Sequence, residues 1–413
     1  MGEHIGTEIE LTVDKIAHGG IAVGRLDGRV VFVSDAIPGE TVRARVSDDR
    51  KKSFWRADTV EVLEASEHRR PHVWGAASLE RDPRSRVGGA EFGHIALEHQ
   101  RELKRQVLAE SLQRMAGIES DVQVEALPGD DAANGLGWRT RIRLHVDGQG
   151  RLGPMASRSH TVIPVTDAPL ATTAVQAITP FSERFLGLGT VDVLAPSVGE
   201  PRLVIGDQKP TVIAEVVGER RFQLDDTGFW QVHRSAAAAL TLAVQEAIDA
   251  ERFDARADNL DLYGGVGLFA AAVADRFGAN TRITSVESDE RATDHASENL
   301  ADWLGASAES GRVDRWLRSH ESSASAGDRE RLRSATVVLD PPRSGAGTEV
   351  MGLLGTLAPA QIVYVACDPV ALARDVALAS ESGYRLARIR AFDLFPHTHH
   401  VEAIATLVRD GQA

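Results

Sequence analysis

Three features of the chain predict a mixed α/β protein built in three parts. After about residue 223, apolar strands alternate with helices, the pattern of a doubly wound and largely parallel sheet. The first 66 residues hold short alternating strands broken by glycine corners, the pattern of a small β-barrel. Between them lie further short strands and one long helix. The 413 residues exceed one ordinary domain and suit two or three. The expected divisions are a barrel at 1–66, a β-rich middle at 67–222 and an α/β domain at 223–413.

Each part has its own signals. In the barrel, Ile9–Val13, Arg29–Val33, Thr41–Val46 and Ala57–Leu63 alternate apolar and polar residues. The corners between them are His18-Gly19-Gly20, Asp27-Gly28 and Pro38-Gly39. Five short strands suit an oligonucleotide-binding barrel, and a small SH3-like barrel gives the same pattern. Leu103, Val107, Leu108 and Leu112 mark one face of a helix near 97–115, placed to pack on the α/β domain. Thr140–Val146, His160–Pro164 and Thr211–Val217 read as strands of the middle part. The α/β strands are Asn259–Tyr263, Arg282–Val286, Thr336–Leu339 and Gln361–Ala366, then a pair near Arg385–Phe392 and Ala403–Val408.

Composition bounds the function. With 43% hydrophobic and 26% charged residues the chain is globular. No uncharged apolar run is long enough to span a bilayer, and the start Met-Gly-Glu-His lacks the features of a secretion signal. One cysteine excludes an internal disulfide or an all-cysteine metal site. The expectation is a cytoplasmic monomer without membrane contact. Lys and Arg total 46 against 60 Asp and Glu, a net charge of −14, which opposes nucleic-acid binding. The bases nevertheless cluster, six of them between Arg43 and Arg56, although a solvated surface explains any one cluster.

Asp261-Leu-Tyr263-Gly264-Gly265-Val-Gly267 is a strand end, a glycine turn and a helix start. Glycines there let a ligand approach the backbone. Glu287 ends the next strand, where a carboxylate can accept from both ribose hydroxyls of an adenosine. The spacing fits a nicotinamide dinucleotide as well as S-adenosylmethionine. Asp261 favours the second, because a carboxylate suits a cationic methionine end and repels a pyrophosphate.

Three downstream segments add chemistry. Val337–Gly345 runs an apolar strand into Asp340-Pro-Pro, a stiff turn that holds a carboxylate at the sheet edge. Tyr364–Pro369 puts Cys367 at a strand-to-helix junction, where helix N–H groups can lower a thiol pKa. A lone cysteine is otherwise a small buried hydrophobe. Phe395–Glu402 carries His397, His399 and His400, without the partners a metal site needs, and leads to Glu402, a candidate general base. No metal is expected.

Together these segments resemble the RNA uridine-5-methyltransferase family. Phe229-Trp-Gln231-Val-His233 resembles its Phe-x-Gln-Val-Asn, and Asp261–Gly267 its cofactor loop. Asp340–Gly345 resembles Asp-Pro-Pro-Arg-x-Gly, Tyr364–Asp375 the nucleophile strand and helix, and Phe395–Glu402 the Phe-Pro-x-Thr-x-His-Val-Glu segment. Ile9–Ser66 resembles the TRAM RNA-binding domain that often precedes this enzyme. The resemblance implies a Rossmann-like class I methyltransferase domain that acts on carbon 5 of a uridine in rRNA or tRNA. It makes Cys367 and Glu402 catalytic, and Gln231, Tyr263, Gly265, Glu287 and Asp340 contacts of S-adenosylmethionine.

The chain also departs from the family. Many relatives bind an iron–sulfur cluster through four cysteines, but the matching stretch here is Val87-Gly-Gly-Ala90, with Ala168 at the fourth position. No cluster is expected. His233 replaces an asparagine, Gly264 a common cysteine, and Asp368 the asparagine after the nucleophile. The last puts a negative charge beside Cys367, which disfavours its thiolate unless something offsets it. Two rival readings stay open: an amino-methyltransferase acting on adenine or guanine, and a non-catalytic RNA-binding protein.

Overall fold

The computed structural model describes residues 4–409. Strands β1 (Glu8–Ala17), β2 (Ile21–Leu26), β3 (Arg29–Ser34), β4 (Thr41–Asp48) and β5 (Phe54–Glu64) close a barrel in the order β1-β2-β3-β5-β4. Alternate residues Val31, Val33, Val42, Ala44 and Val46 fill its interior. Asp27 and Gly28 both take positive φ, 50° and 80°, which matches the turn twist to the flanking strands. Three of the six bases in the cluster between Arg43 and Arg56 are paired with acids. Arg43 meets Glu10 and Glu61, Arg45 meets Glu8, and Arg50 meets Asp48.

Helix α1 (Leu97–Ala116) and the short strand β6 (Val124–Ala126) follow. A four-stranded sheet then forms from β7 (Arg141–Val146), β8 (Leu152–Gly153), β9 (Thr190–Leu194) and β10 (Arg202–Ile205), with α2 (Thr173–Ile178) against it. β11 (Val212–Val217) and β12 (Arg220–Asp225) make a separate hairpin. The strand expected at His160–Pro164 does not form. Val162 makes a single bridge to Met155, and Pro164 has no N–H to extend it.

The C-terminal sheet has the strand order β15-β14-β13-β16-β17-β19-β18-β6. Its members are β13 (Asn259–Leu262), β14 (Ile283–Glu287), β15 (Ala306–Ser310), β16 (Thr336–Leu339), β17 (Gln361–Ala366), β18 (Tyr384–Asp393) and β19 (Glu402–Arg409). α3 (Ala236–Ala247), α4 (Leu268–Phe277) and α5 (Glu290–Asn299) cover one face. α6 (Val313–Ser323), α7 (Ala326–Arg333), α8 (Gly347–Leu357) and α9 (Pro369–Glu381) cover the other. α1 joins this second layer, adding Leu108 and Leu112 beside Leu372 and Val376 of α9. Among the described residues no helix is long and apolar enough to cross a membrane.

Chain order reverses between β13 and β16, so their C-terminal ends open a crevice at the sheet edge. The glycine loop leaves β13 there and Asp340 leaves β16.

Candidate active site

β16 and β17 run parallel, and β19 runs antiparallel to β17. The exits of the first two strands therefore share an edge with the entry of the third. The β17–β19 register closes on Ala366 opposite Ala403, and the next residues outward are Cys367 and Glu402. Leu339 pairs with Tyr364, which brings Asp340 to the same edge. Cys367 is half-buried and Glu402 is buried.

The charges at this edge oppose ionisation. Burial pushes the Cys367 thiol up to about 12, reinforced by Glu402, Asp340 and Asp368 and opposed by Arg343. Burial raises Asp340 to about 7, with a contribution from Asp261. Glu402 is raised well above the ordinary carboxylate range by burial and by Asp340. Acids sharing a desolvated site hold their protons more tightly, and each is a stronger base once ionised. The α9 N-terminus does not relieve the thiol as its position suggested. Its first amides, Val370 N and Ala371 N, donate instead to Asp368 Oδ1 at 3.0 and 2.8 Å.

The glycine loop lies two strands away. Tyr263, Gly265 and Gly267 all have positive φ (62°, 54° and 87°) as the chain turns from β13 into α4. A Cβ on Gly264 would stand 2.0 Å from Ser285 Oγ and 2.8 Å from Asp261 Oδ2, so a larger residue there would have to displace both side chains. A Cβ on Gly265 would meet nothing within 4 Å, which leaves bare backbone facing open space. Glu287 Oε2 accepts from Gly265 N at 3.2 Å, while Oε1 accepts from Ser288 N and Asp289 N. Its carboxylate is thereby fixed at the end of β14. Asp261, expected to suit the cationic end of a cofactor, is wholly buried, and its Oδ1 has no partner among the described residues. Its Oδ2 accepts from Ala270 N at 3.0 Å and Ser285 Oγ at 3.3 Å, so this one oxygen anchors the loop.

Comparison with known proteins decides the family. The family model described as tRNA (Uracil-5-)-methyltransferase matches residues 217–410, and the TRAM domain model matches 3–54. An uncharacterized RNA methyltransferase of Streptomyces avermitilis is 35% identical over 98% of both chains. The chain belongs to the RNA uracil-5-methyltransferase family. The 23S rRNA (uracil(1939)-C(5))-methyltransferase RlmD of Pseudomonas fluorescens is 29% identical, covering 97% of this chain and 94% of that one. In fold the methyltransferase resembles the Pyrococcus abyssi tRNA (uracil-54, C5)-methyltransferase, solved with S-adenosyl-L-homocysteine. That match has a TM-score of 0.67 and 22% identity, and covers 97% of this chain and 100% of the other.

Bare glycine backbone, the fixed carboxylate of Glu287 and Asp340 follow the adjacent parallel strands β13, β14 and β16, groups whose chemistry suits S-adenosylmethionine. Gln231 lies between β12 and α3 and makes no side-chain hydrogen bond among the described residues. Its neighbour Trp230 shares a core with Val266 of the glycine loop. Tyr263 packs beside that loop, and burial pushes its hydroxyl up to about 12. The residues do not fit an iron–sulfur cluster. Four thiolates are needed and the chain has one cysteine. Val87 and Ala90 instead pack in an apolar cluster with Trp74, Trp138 and Ile163, and Ala168 lies in the core beside it.

Several supporting residues escaped the sequence reading. Asp375, at the end of the nucleophile segment, is fully buried and accepts from Tyr364 Oη at 2.6 Å and Ala346 N at 2.8 Å. It ties the Asp-Pro-Pro turn to α9. His397 has no metal-binding role in this arrangement. Its Nε2 donates to the Asn134 carbonyl at 2.8 Å and its Nδ1 accepts from Gln100 Nε2 at 3.1 Å. His233, a departure from the family pattern, meets buried Asp130 at 3.0 Å.

Proposed function

We propose that the enzyme methylates carbon 5 of a uridine in ribosomal or transfer RNA, with Cys367 as nucleophile and Glu402 as the base. The register that sets Cys367 beside Glu402, with Asp340 at the same edge, carries this reading. Carbon 5 of uracil is a weak nucleophile. Once Cys367 has given its proton to solvent, the thiolate sulfur bonds to carbon 6 and the ring double-bond pair moves onto oxygen 4 as an enolate. The enolate makes carbon 5 nucleophilic. S-adenosylmethionine, held by Gln231, Tyr263, Gly265, Glu287 and Asp340, supplies an electrophilic methyl group. Glu402 then takes the carbon-5 proton, the ring double bond re-forms and the sulfur–carbon bond breaks. The raised proton affinity of Glu402 strengthens it for that step.

Residues 1–66, 67–222 and 223–413 are read as an RNA-holding barrel, a middle platform and the catalytic domain. Arg29, Lys51 and Lys52 line one open groove of the barrel, the kind of basic surface that tracks a phosphate backbone. The target base must leave its stack to reach Cys367. The Pseudomonas and Pyrococcus relatives are named for a 23S rRNA and a tRNA uracil, which supports these two RNA classes as candidates.

The test uses tRNA and rRNA isolated after growth of gene-deleted cells in 5-fluorouracil. With S-adenosylmethionine the enzyme is expected to form an RNA–protein adduct stable to denaturation, because fluorine cannot leave as a proton does. Cys367→Ala should form none and lose at least about 10³-fold in turnover on ordinary RNA. Wild-type turnover by that variant would overturn the reading, and turnover without any adduct would favour an amino-methyltransferase.

A further inference from the structure

The barrel meets the catalytic edge at its first turn, Ala17–Gly20, between β1 and β2. Ile16 and Ile37 of the barrel share a buried cluster with Phe92, Ile95 and Leu103. The turn lies so close to the segment before β19 that a Cβ on Gly20 would stand 2.5 Å from the Cβ of His399. Turn, α1 and the loop after β17 enclose a cleft of about 120 Å³, with Cys367 in its wall. Within it His18 Nε2 lies 2.8 Å from Asp368 Oδ2. Asp368 is thus divided, one oxygen capping α9 and the other meeting the barrel.

The geometry points to His18 as a positioning residue of the methyl-transfer site: when protonated it neutralises Asp368, and so couples barrel docking to ionisation of Cys367. The inference rests on Cys367 being the nucleophile. Asp368 is one of the charges that disfavour the thiolate, so the family departure at this position is offset by a base from another part of the chain. The hydrogen bond to Asp368 raises His18 above the usual imidazole value, against burial. Burial pushes Asp368 up, but His18 and the α9 amides draw it below the carboxylate range. Lys104 on α1, Arg343 beyond β16, and His399 and His400 before β19 face the same cleft. Asp340 and Glu402 act on the thiol as well, and Lys15 farther along β1 is paired to Glu110 of α1.

The charge on His18 is present below its pKa and fades as pH rises through it. The decisive measurement is therefore the rate of adduct formation with the same 5-fluorouridine RNA, using the full-length enzyme from pH 6 to pH 9. His18→Ala is expected to slow the step about threefold at pH 6 and to match wild type at pH 9. In an Asp368→Asn background the same substitution should have no pH-dependent effect, since there is no charge to neutralise. A wild-type to His18→Ala ratio that is constant across pH, or that persists in Asp368→Asn, marks a packing contact and overturns the proposal. Were Cys367→Ala still to form the adduct, the nucleophile reading would fail first and carry this inference with it.

Discussion

Two neighbouring regions of the enzyme are built on opposite terms. In the loop from Val87 to Ile95 the apolar side chains are buried and the backbone is tied by hydrogen bonds, while both ring nitrogens of buried His94 lack a partner among the described residues. Phe92 N donates to the His397 carbonyl at 2.9 Å. Gln100 donates to the Phe92 and Ile95 carbonyls and accepts from His397 N. At the catalytic edge, a few residues beyond His397, Asp340, Glu402 and Asp368 crowd one thiol and disfavour its ionised form. The difference teaches a division of labour. Acids held together in a dry site gain proton affinity, which suits a base and burdens a thiolate, and the packed loop beside them holds the edge in place.

Glu402→Gln should break the comparison most strongly. Loss of the base is expected to cost about 10²–10⁴-fold in turnover. The covalent intermediate should then accumulate on ordinary uridine RNA, read as a gel-shifted adduct. Stability should move the other way. The folded chain holds the Glu402 proton more tightly than the unfolded chain does. Its contribution to stability is therefore present at low pH and is lost as pH rises through the folded value. Melting of Glu402→Gln should match wild type near pH 5 and exceed it at pH 8. Equal melting at both would mean that the edge carries no electrostatic strain.

Lys104→Met tests the packed side. Lys104 is buried, and its Nζ donates to Asp393 Oδ1 at 2.5 Å and to the Phe395 carbonyl at 3.1 Å. Burial draws its ammonium below the usual lysine value, opposed by Asp393. Methionine would leave Asp393 buried with Arg101, at 3.6 Å, as its one remaining ion-pair partner among the described residues. The expected loss is about 3–5 kcal/mol in urea melts. Turnover should fall too, because the segment leading to Glu402 begins at Asp393.

What could be read in advance follows from how each part is buried. β16 and β17 were expected at Thr336–Leu339 and Gln361–Ala366 and lie there, since central parallel strands are unbroken apolar runs. β15, Ala-Ser-Ala-Glu-Ser, and the three-residue β6 had no such run because both sit at sheet edges. Cys367, Glu402 and Asp340 were visible because chemistry and backbone restriction coincide in short motifs. His18, Lys104, Gln100 and Asp375 were not, because each acts on a partner that only the fold brings near. Asp261 was noticed, but that one of its oxygens serves the α4 amide and Ser285 was not legible, because the fold brings those partners near.

Val87→Ala is the mildest probe and the one that sharpens the contrast. The side chain is buried against Trp74 and Trp138, so its truncation leaves a small cavity. The expected loss is about 1–2 kcal/mol in urea melts. If the loop only supports, turnover at a temperature where the variant is folded should stay within about twofold of wild type, as a distant packing loss predicts. A tenfold fall in turnover with the same modest loss of stability would contradict that view. The hydrogen bond from Phe92 N to His397 would then be a lever on the catalytic segment, and the two regions one unit rather than two.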